Sequence, residues 1–215
     1  MRLQARGANA RSVDLCFYPV GYPGMSGLSD GLHYVSLQMK LLPPDQYQPI
    51  AEASFKAIAD RLCAVLPDAQ VEHVGASSIP GAISKGDLDV CVIVEREQFA
   101  SYLDRILALG YQVKVDTLRT DQLCMLIPIA PSDDHAIQLI EAGSKFQFFL
   151  TFRDALRNDP SAVSRYNEVK RRAADQSEEE YRSAKSAFIE EVLKANPSLE
   201  PTSLGKPRSA AQLQR

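Results

Sequence analysis

Histidine is scarce in this chain and cysteine is scattered: three histidines and four cysteines occur in 215 residues, with no C-x-x-C pair. A zinc site or a disulfide framework needs clustered ligands or paired spacings, and the sequence has neither. Cys16, Cys63, Cys91 and Cys124 therefore read as free thiols in a reducing compartment, which points to the cytoplasm. No stretch approaches the ~18 uninterrupted apolar residues of a membrane span. There is no G-x-S-x-G elbow and no Cys–His pairing pattern, so nucleophilic hydrolysis lacks its machinery, and without a Walker sequence a P-loop kinase is unlikely. An excess of one charge is missing too. The 24 Lys+Arg stand against 27 Asp+Glu for a net charge of −3, so no global field draws the protein onto nucleic acid or an anionic membrane.

What is present is enough apolar material, 45% of residues, for one well-filled domain. Residues 1–33 read as an atypical extension. They begin basic and acid-poor without the apolar run of a secretory signal, and PVGYPGMSGLSDG interrupts any regular backbone before a domain that starts near Tyr34. The domain is expected over residues 34–194. Residues 195–215, rich in Pro, Ser and Gln, read as a mobile tail.

Inside the domain the pattern alternates. Pro49 is suited to open a helix in which Phe55, Ile58, Leu62, Val65 and Leu66 share a face. QVEHV and LDVCVIV read as strands, the second buried on both sides. EQFASYLDRILALG reads as a helix ended by Gly110. YQVKVDTL and QLCMLIPI read as strands joined by a hairpin at RTD, and HAIQLIE as a further strand. Asp159-Pro160 and Ser177-Glu178-Glu179-Glu180 are helix starts, the second a capping box. The expected class is α/β or α+β, a small mixed sheet flanked by helices with a helical C-terminal segment.

The chemistry concentrates between Val74 and Val92. A glycine and small hydroxyl residues follow one strand, and Asp87 and Asp89 open the next. Strand alternation puts both acids on one face, roughly 6.6 Å apart along the chain. Two such carboxylates repel unless a cation lies between them, and hard oxygen ligands select Mg²⁺ or Mn²⁺, which in turn hold nucleotide phosphates. The turn at Gly75, Ser77 and Ser78 would complement this with amides and hydroxyls for the outer phosphates. Lys85 is either a point charge for a triphosphate or a solvated loop lysine, and Lys185 would reach a nucleotide from above the sheet.

The run VEHVGASSIPGAISKGDLDVCVIV resembles the signature of the GrpB family, a branch of the nucleotidyltransferase-fold superfamily. LALGYQV, HAIQLIEAGS, FFLTFRDALRNDPSAVSRYNEVKRRAA and SAKSAFIEEVL are similar to further blocks of that family in the same order, so the resemblance spans residues 37–193. It implies a nucleotidyltransferase-like domain whose activity is unassigned, some members being joined to dephospho-CoA kinase. The chain departs from the family's usual form in three places. Ala76 replaces a customary serine, leaving the phosphate-facing hydroxyl to Ser77. Asp87 stands where an apolar residue is frequent, restoring the D-x-D of active members twelve residues after Gly75. Gln138 falls where those members carry a third acid. An amide oxygen can ligate a metal but is no base, so either Glu141 (through a bulge) or Asp134 supplies the acid, or the site is catalytically weak.

Other residues carry blander expectations. His73 reads as a hydrogen-bonded histidine beside the site, and His135 has a weaker claim still. Arg153 and Asp154 read as an ion pair tying a helix to the sheet, and Lys170, Arg171 and Arg172 as a solvated helix face. Three functions follow as expectations. The first is metal-dependent transfer of a nucleotidyl group from a nucleoside triphosphate, ATP being the first choice, to an unknown acceptor, with Asp87, Asp89 and Glu141 catalytic and Asp87, Asp89 and Gln138 on the metal. The second is a weak or inactive module binding a nucleotide or CoA precursor. The third is a partner protein acting through its two ends.

Overall fold

The computed structural model describes residues 40–130 and 134–197. The extension read at residues 1–33 with its Cys16, the domain start near Tyr34, and residues 198–215 of the tail lie outside the described residues.

Helix α1 (Pro44–Val65) leads into strand β1 (Gln70–Val74). Strand β2 (Leu88–Val94), helix α2 (Phe99–Ala108), strand β3 (Tyr111–Val113), strand β4 (Leu123–Pro128) and strand β5 (His135–Glu141) follow. Helices α3 (Phe148–Asn158), α4 (Pro160–Ala173) and α5 (Glu178–Ala195) end the domain. The sheet has the order β1-β2-β5-β4-β3. Only β2 and β5 run parallel; the other neighbours are antiparallel.

The all-apolar look of LDVCVIV is explained by its place: β2 is buried along its whole length because both faces of the sheet are covered. Leu88, Val90, Val92 and Val94 pack with α1 and α2 residues such as Phe55, Leu62 and Ile106. Cys91 and Ile93, of opposite parity, pack with Val74, Phe146 and Leu150. A third cluster joins α3, α4 and α5 through Phe152, Leu156, Tyr166, Phe188 and Ile189. Each such side chain removed from water is worth ~1.5–3 kcal/mol before chain entropy is counted. The α3–α4 break is local chemistry. Asp159 is extended, as a residue before proline prefers, and its carboxylate accepts from the amides of Ser161 (2.9 Å) and Ala162 (3.2 Å). The capping box at Ser177 and Glu180 starts α5.

Two expectations are corrected. Helix α1 begins at Pro44, so Pro49 lies inside it rather than at its start and removes one main-chain hydrogen bond. Tertiary bonds from the added turn offset that loss: the Tyr47 hydroxyl donates to the Ala82 carbonyl at 2.8 Å and Gln48 Nε2 to the Ile79 carbonyl at 2.7 Å. The β3–β4 connection is also longer than RTD. Thr117 Oγ1 donates to the Lys114 carbonyl at 2.9 Å and closes a turn just after β3, leaving Val115 93% exposed.

Candidate functional site

Between β1 and β2 the chain runs irregularly through the interior, so its backbone groups need partners other than water. Side chains from three helices supply them. From α1 come the Tyr47 and Gln48 bonds; from α3, Arg157 Nε donates to the Ser78 carbonyl at 2.9 Å. From α4, Asn167 accepts from the Ile83 amide at 2.9 Å and donates to the Gly81 carbonyl at 2.8 Å, and Lys170 Nζ donates to the Ile83 carbonyl. The loop is thereby fixed against the helical layer, and a cleft opens between them. It is lined by Gly75 and Ala76, by Ser84, Lys85 and Asp87, by Asp89 of β2, and by α3–α5 side chains including Tyr166, Lys170, Tyr181 and Lys185.

Gly75 has φ +72°, and a β-carbon there would sit 2.3 Å from Asp89 Oδ2. The absent side chain thus lets the Asp89 carboxylate approach the main chain, and the backbone angle itself suits glycine. Asp87 and Asp89 have the same strand parity and face the same cleft. Ser84 Oγ donates to Asp87 Oδ1 at 2.8 Å, and Gln138 Nε2 donates to Asp89 Oδ1 at 2.9 Å. Burial, and then the adjacent charge of Asp87, push the Asp89 carboxyl up to about 7.

Two cations share the cleft with the acids, Lys85 from the loop and Lys185 from α5. Lys85 lies 4.0 Å from Glu178 Oε1 and 5.2 Å from the Tyr181 ring centroid; Lys185 is 5.3 Å from the same centroid. Burial lowers the Lys185 pKa, and Asp87 and Asp89 act against that. Lys170, expected on a solvated face with Arg171 and Arg172, is instead 1% exposed. The reason is its place in the buried stripe Val163, Tyr166, Lys170, Ala173 of α4, whose three- and four-residue spacing is visible in the sequence. Lys170, Tyr47, Asn167, Tyr166 and Tyr181 were all missed as site or loop-supporting residues.

Gly75, Lys85, Asp87, Asp89 and Lys185 thus come together. The hydroxyls expected to face phosphate do not join them. Ser77 Oγ lies 3.0 Å from His73 Nε2, while Ser78 Oγ donates to the Gly75 carbonyl at 2.8 Å, because both serines are buried and must be bonded internally. His73 also meets Glu52 through Nδ1 at 3.3 Å and stacks on Phe55, so it is a bonded interior histidine. His135 bonds the Tyr111 hydroxyl at 2.8 Å. Arg153 joins Glu72 at 2.7 Å and the His73 carbonyl at 3.0 Å while pairing with Asp154, which ties α3 to β1.

Of the two acids expected at the third position, Glu141 is excluded by register. Ala136 pairs with Asp89 and Glu141 with Val94, so Glu141 lies roughly 16 Å along the strand from the acids. It meets Arg96 at 3.5 Å instead. Asp134, exposed, precedes β5 at the correct end, and its charge is felt by Asp89. Gln138 meets Asp89 through its amide nitrogen, and its buried Oε1 has no hydrogen-bond partner among the described residues; it positions the acid and is not placed as a metal ligand. Among the described residues no three His, Cys, Asp or Glu side chains group closely enough to hold an ion. The donors fit Mg²⁺ or Mn²⁺ in a two-carboxylate mode, which Mg²⁺ commonly completes with phosphate oxygens and water. The charge of Asp87 is the second cause of Asp89's raised pKa, after burial, and a hard cation between the two oxygen ligands would relieve that part of it.

Among the described residues no helix is long and apolar enough to cross a membrane. The family model described as GrpB protein matches residues 45–195. A UPF0157 protein of Vibrio cholerae is 46% identical over 155 residues, covering 72% of this chain and 82% of the relative. A UPF0157 protein of Halalkalibacterium halodurans is 29% identical over 156 residues, with 69% and 79% covered. The crystal structure of the conserved protein GrpB from Enterococcus faecalis superposes with a TM-score of 0.59 at 22% identity, over 74% of this chain and 100% of that one. A more partial likeness, TM-score 0.43 at 12% identity over 58% of this chain and 38% of the other, is to Cid1, described as having RNA terminal uridylyl transferase activity. With a family match across most of its length and a sheet, cleft and helical layer in the order its signature implies, the chain belongs to the GrpB family.

Proposed function

We propose that the cleft binds a nucleoside triphosphate, ATP as first choice, and transfers its nucleotidyl group to an acceptor. In this reading Asp87 and Asp89 hold Mg²⁺ or Mn²⁺, while Lys85 and Lys185 meet the outer phosphates and the backbone at Gly75 approaches them. When bound, the cation would supply charge neutralisation at the phosphates and polarise the phosphorus under attack. The chain's own residues orient and exclude: Ser84 and Gln138 fix the two carboxylates, and Phe149, Phe152 and Tyr166 line the cleft. The observation that carries the reading is the convergence of two carboxylates and the lysines on one cleft beside a glycine turn.

Calorimetric titration of ATP in the presence and absence of Mg²⁺ tests it. Binding should require the cation and should fall by at least tenfold in Asp87→Asn and Asp89→Asn. Equal binding by both variants and the parent would remove the site. A second reading, a non-catalytic module for a nucleotide or CoA precursor, is favoured by Gln138 at the third-acid position and by the distance of Glu141. Release of pyrophosphate on incubation with NTPs, a divalent cation and small-molecule acceptors separates the two, because only the enzyme produces it.

A further inference from the structure

Lys170 is the one lysine of the cleft that the nucleotide reading leaves unused. It is 1% exposed, yet it lines the cleft. Its Nζ donates to the Ile83 carbonyl and lies 3.9 Å from the Tyr166 ring centroid. A carbonyl oxygen and a ring face both attract an ammonium, so these contacts favour the charged form. An ammonium has three N–H donors, and among the described residues the carbonyl and the ring take two of them. No carboxylate of those residues lies within 4.0 Å of Nζ, whereas Lys85 has Glu178 at that distance. The charge is buried without an ion-pair partner and is one acceptor short, which is a costly state. Burial and then the charge of Lys185 lower the Lys170 pKa, while Asp87 raises it. An anion beside Nζ would act in the same sense as Asp87.

Two tyrosines show the same shortage of acceptors. Tyr166 and Tyr181 are 3% and 2% exposed and line the same cleft. Among the described residues neither hydroxyl meets a hydrogen-bond partner, and neither belongs to the buried atoms sealed from solvent without one, so both open onto the cleft. Burial raises the pKa of each, so both keep the proton they would donate. Lys85 and Lys185 lie 5.2 and 5.3 Å from the Tyr181 ring centroid. Donors and positive charge from the loop, α4 and α5 therefore meet beside the acid pair. A carboxylate would offer them two oxygens and one charge. A phosphate group offers at least three oxygens and up to two charges, so it serves more of these donors and better outweighs the repulsion of Asp87 and Asp89. We propose that Lys170, Tyr166 and Tyr181 form a phosphate seat that works without a divalent cation: one phosphate oxygen accepts the third N–H of Lys170, and the two hydroxyls donate to the same group. The phosphate belongs either to the outer end of the nucleotide or to a phosphomonoester carried by the acceptor, and the inference rests on the nucleotide reading only for that source. In that reading the inner phosphates lie against the acid pair, so intact ATP still needs the cation whereas free phosphate does not.

The test titrates inorganic phosphate into the full-length protein in EDTA at constant ionic strength and reads ³¹P line width and thermal melting. The expected result is saturable broadening and a rise in melting temperature that chloride does not give. Lys170→Met should weaken binding by about tenfold or more, the loss of a hydrogen bond between charged groups. Tyr166→Phe and Tyr181→Phe each remove one donor without leaving a protein group unpaired, and each should weaken binding by about threefold or more. These two variants keep the test decisive even if Lys170→Met does not fold. Titrating phosphate into the protein saturated with Mg²⁺ and ATP identifies the source: competition assigns the seat to the nucleotide's outer phosphate, simultaneous binding assigns it to the acceptor, and both support the seat. No saturable effect of phosphate, or binding that survives unchanged in both tyrosine variants, overturns it. Mg²⁺-dependent ATP binding that persists in either case leaves the nucleotide reading standing. Phosphate binding with no ATP binding at any Mg²⁺ concentration keeps the seat and removes that reading.

Discussion

Replacing Asp89 with asparagine should make the protein more stable at pH 8 and change it little at pH 4. The Asp89 carboxyl is pushed up to about 7 in the folded protein, against 3.8 when unperturbed. Between those values the folded state binds more protons than the unfolded one, so stability falls as pH rises through the window. The penalty is absent below the unfolded pKa and complete above the folded one. Roughly three units at ~1.36 kcal/mol each set a ceiling of about 4 kcal/mol, and relaxation of the cleft reduces it, so a gap of ~2–4 kcal/mol is expected at pH 8. Asparagine keeps the shape and can still accept from Gln138 Nε2, which isolates the charge. Urea unfolding of both proteins between pH 4.5 and 8, in metal-free buffer, reads the difference directly and cancels the other titrating groups. A gap independent of pH, or one that closes as pH rises, would refute the reasoning. Adding Mg²⁺ at pH 8 should then stabilise the parent by RT ln(1 + [Mg²⁺]/Kd) and leave the variant nearly unmoved.

Gly75→Ala should cost ~2–4 kcal/mol, because alanine resists φ +72° and its methyl would displace the Asp89 carboxylate; thermal melting reads the loss, and ATP binding should fall with it. Asn167→Ala leaves the Ile83 amide and the Gly81 carbonyl without their partner. Chemical denaturation should show a loss of ~2–3 kcal/mol. Glu141→Gln should leave Mg²⁺-dependent ATP binding unchanged within twofold in calorimetry, since the register places it far from the acids; a tenfold loss would mean that the strand is paired differently.

Periodicity in the sequence carries the elements well where one physical rule dominates. LDVCVIV and HAIQLIE are strands with the expected bounds because burial on both faces forces an apolar run. The caps at Asp159 and Ser177 are legible because each side chain serves amides two or three residues away. Pro49 misleads because the bonds that tolerate it inside a helix come from residues some thirty positions later. The cleft divides the same way. Gly75, Asp87 and Asp89 are readable from local spacing. The inward turn of Ser77 depends on His73 and Glu52, and the position of Glu141 depends on which strand lies beside β2. Lys170 is hidden by its type, since lysine suggests solvent; only its spacing with Val163, Tyr166 and Ala173 argues otherwise.

The loop between β1 and β2 takes its carbonyl and amide partners from residues 29 to 87 positions away along the chain. At a synthesis rate of ~5–20 residues per second, the two aspartates are joined to the growing chain roughly 4–16 seconds before Asn167 and Lys170. During that interval Tyr47 and Gln48 of α1 can already hold Ile79 and Ala82, but Gly81 and Ile83 lack the partners that α4 brings, so a chain ending before α4 leaves that part of the cleft wall unsupported. The shape of the cleft is therefore completed only when the fourth helix arrives during synthesis.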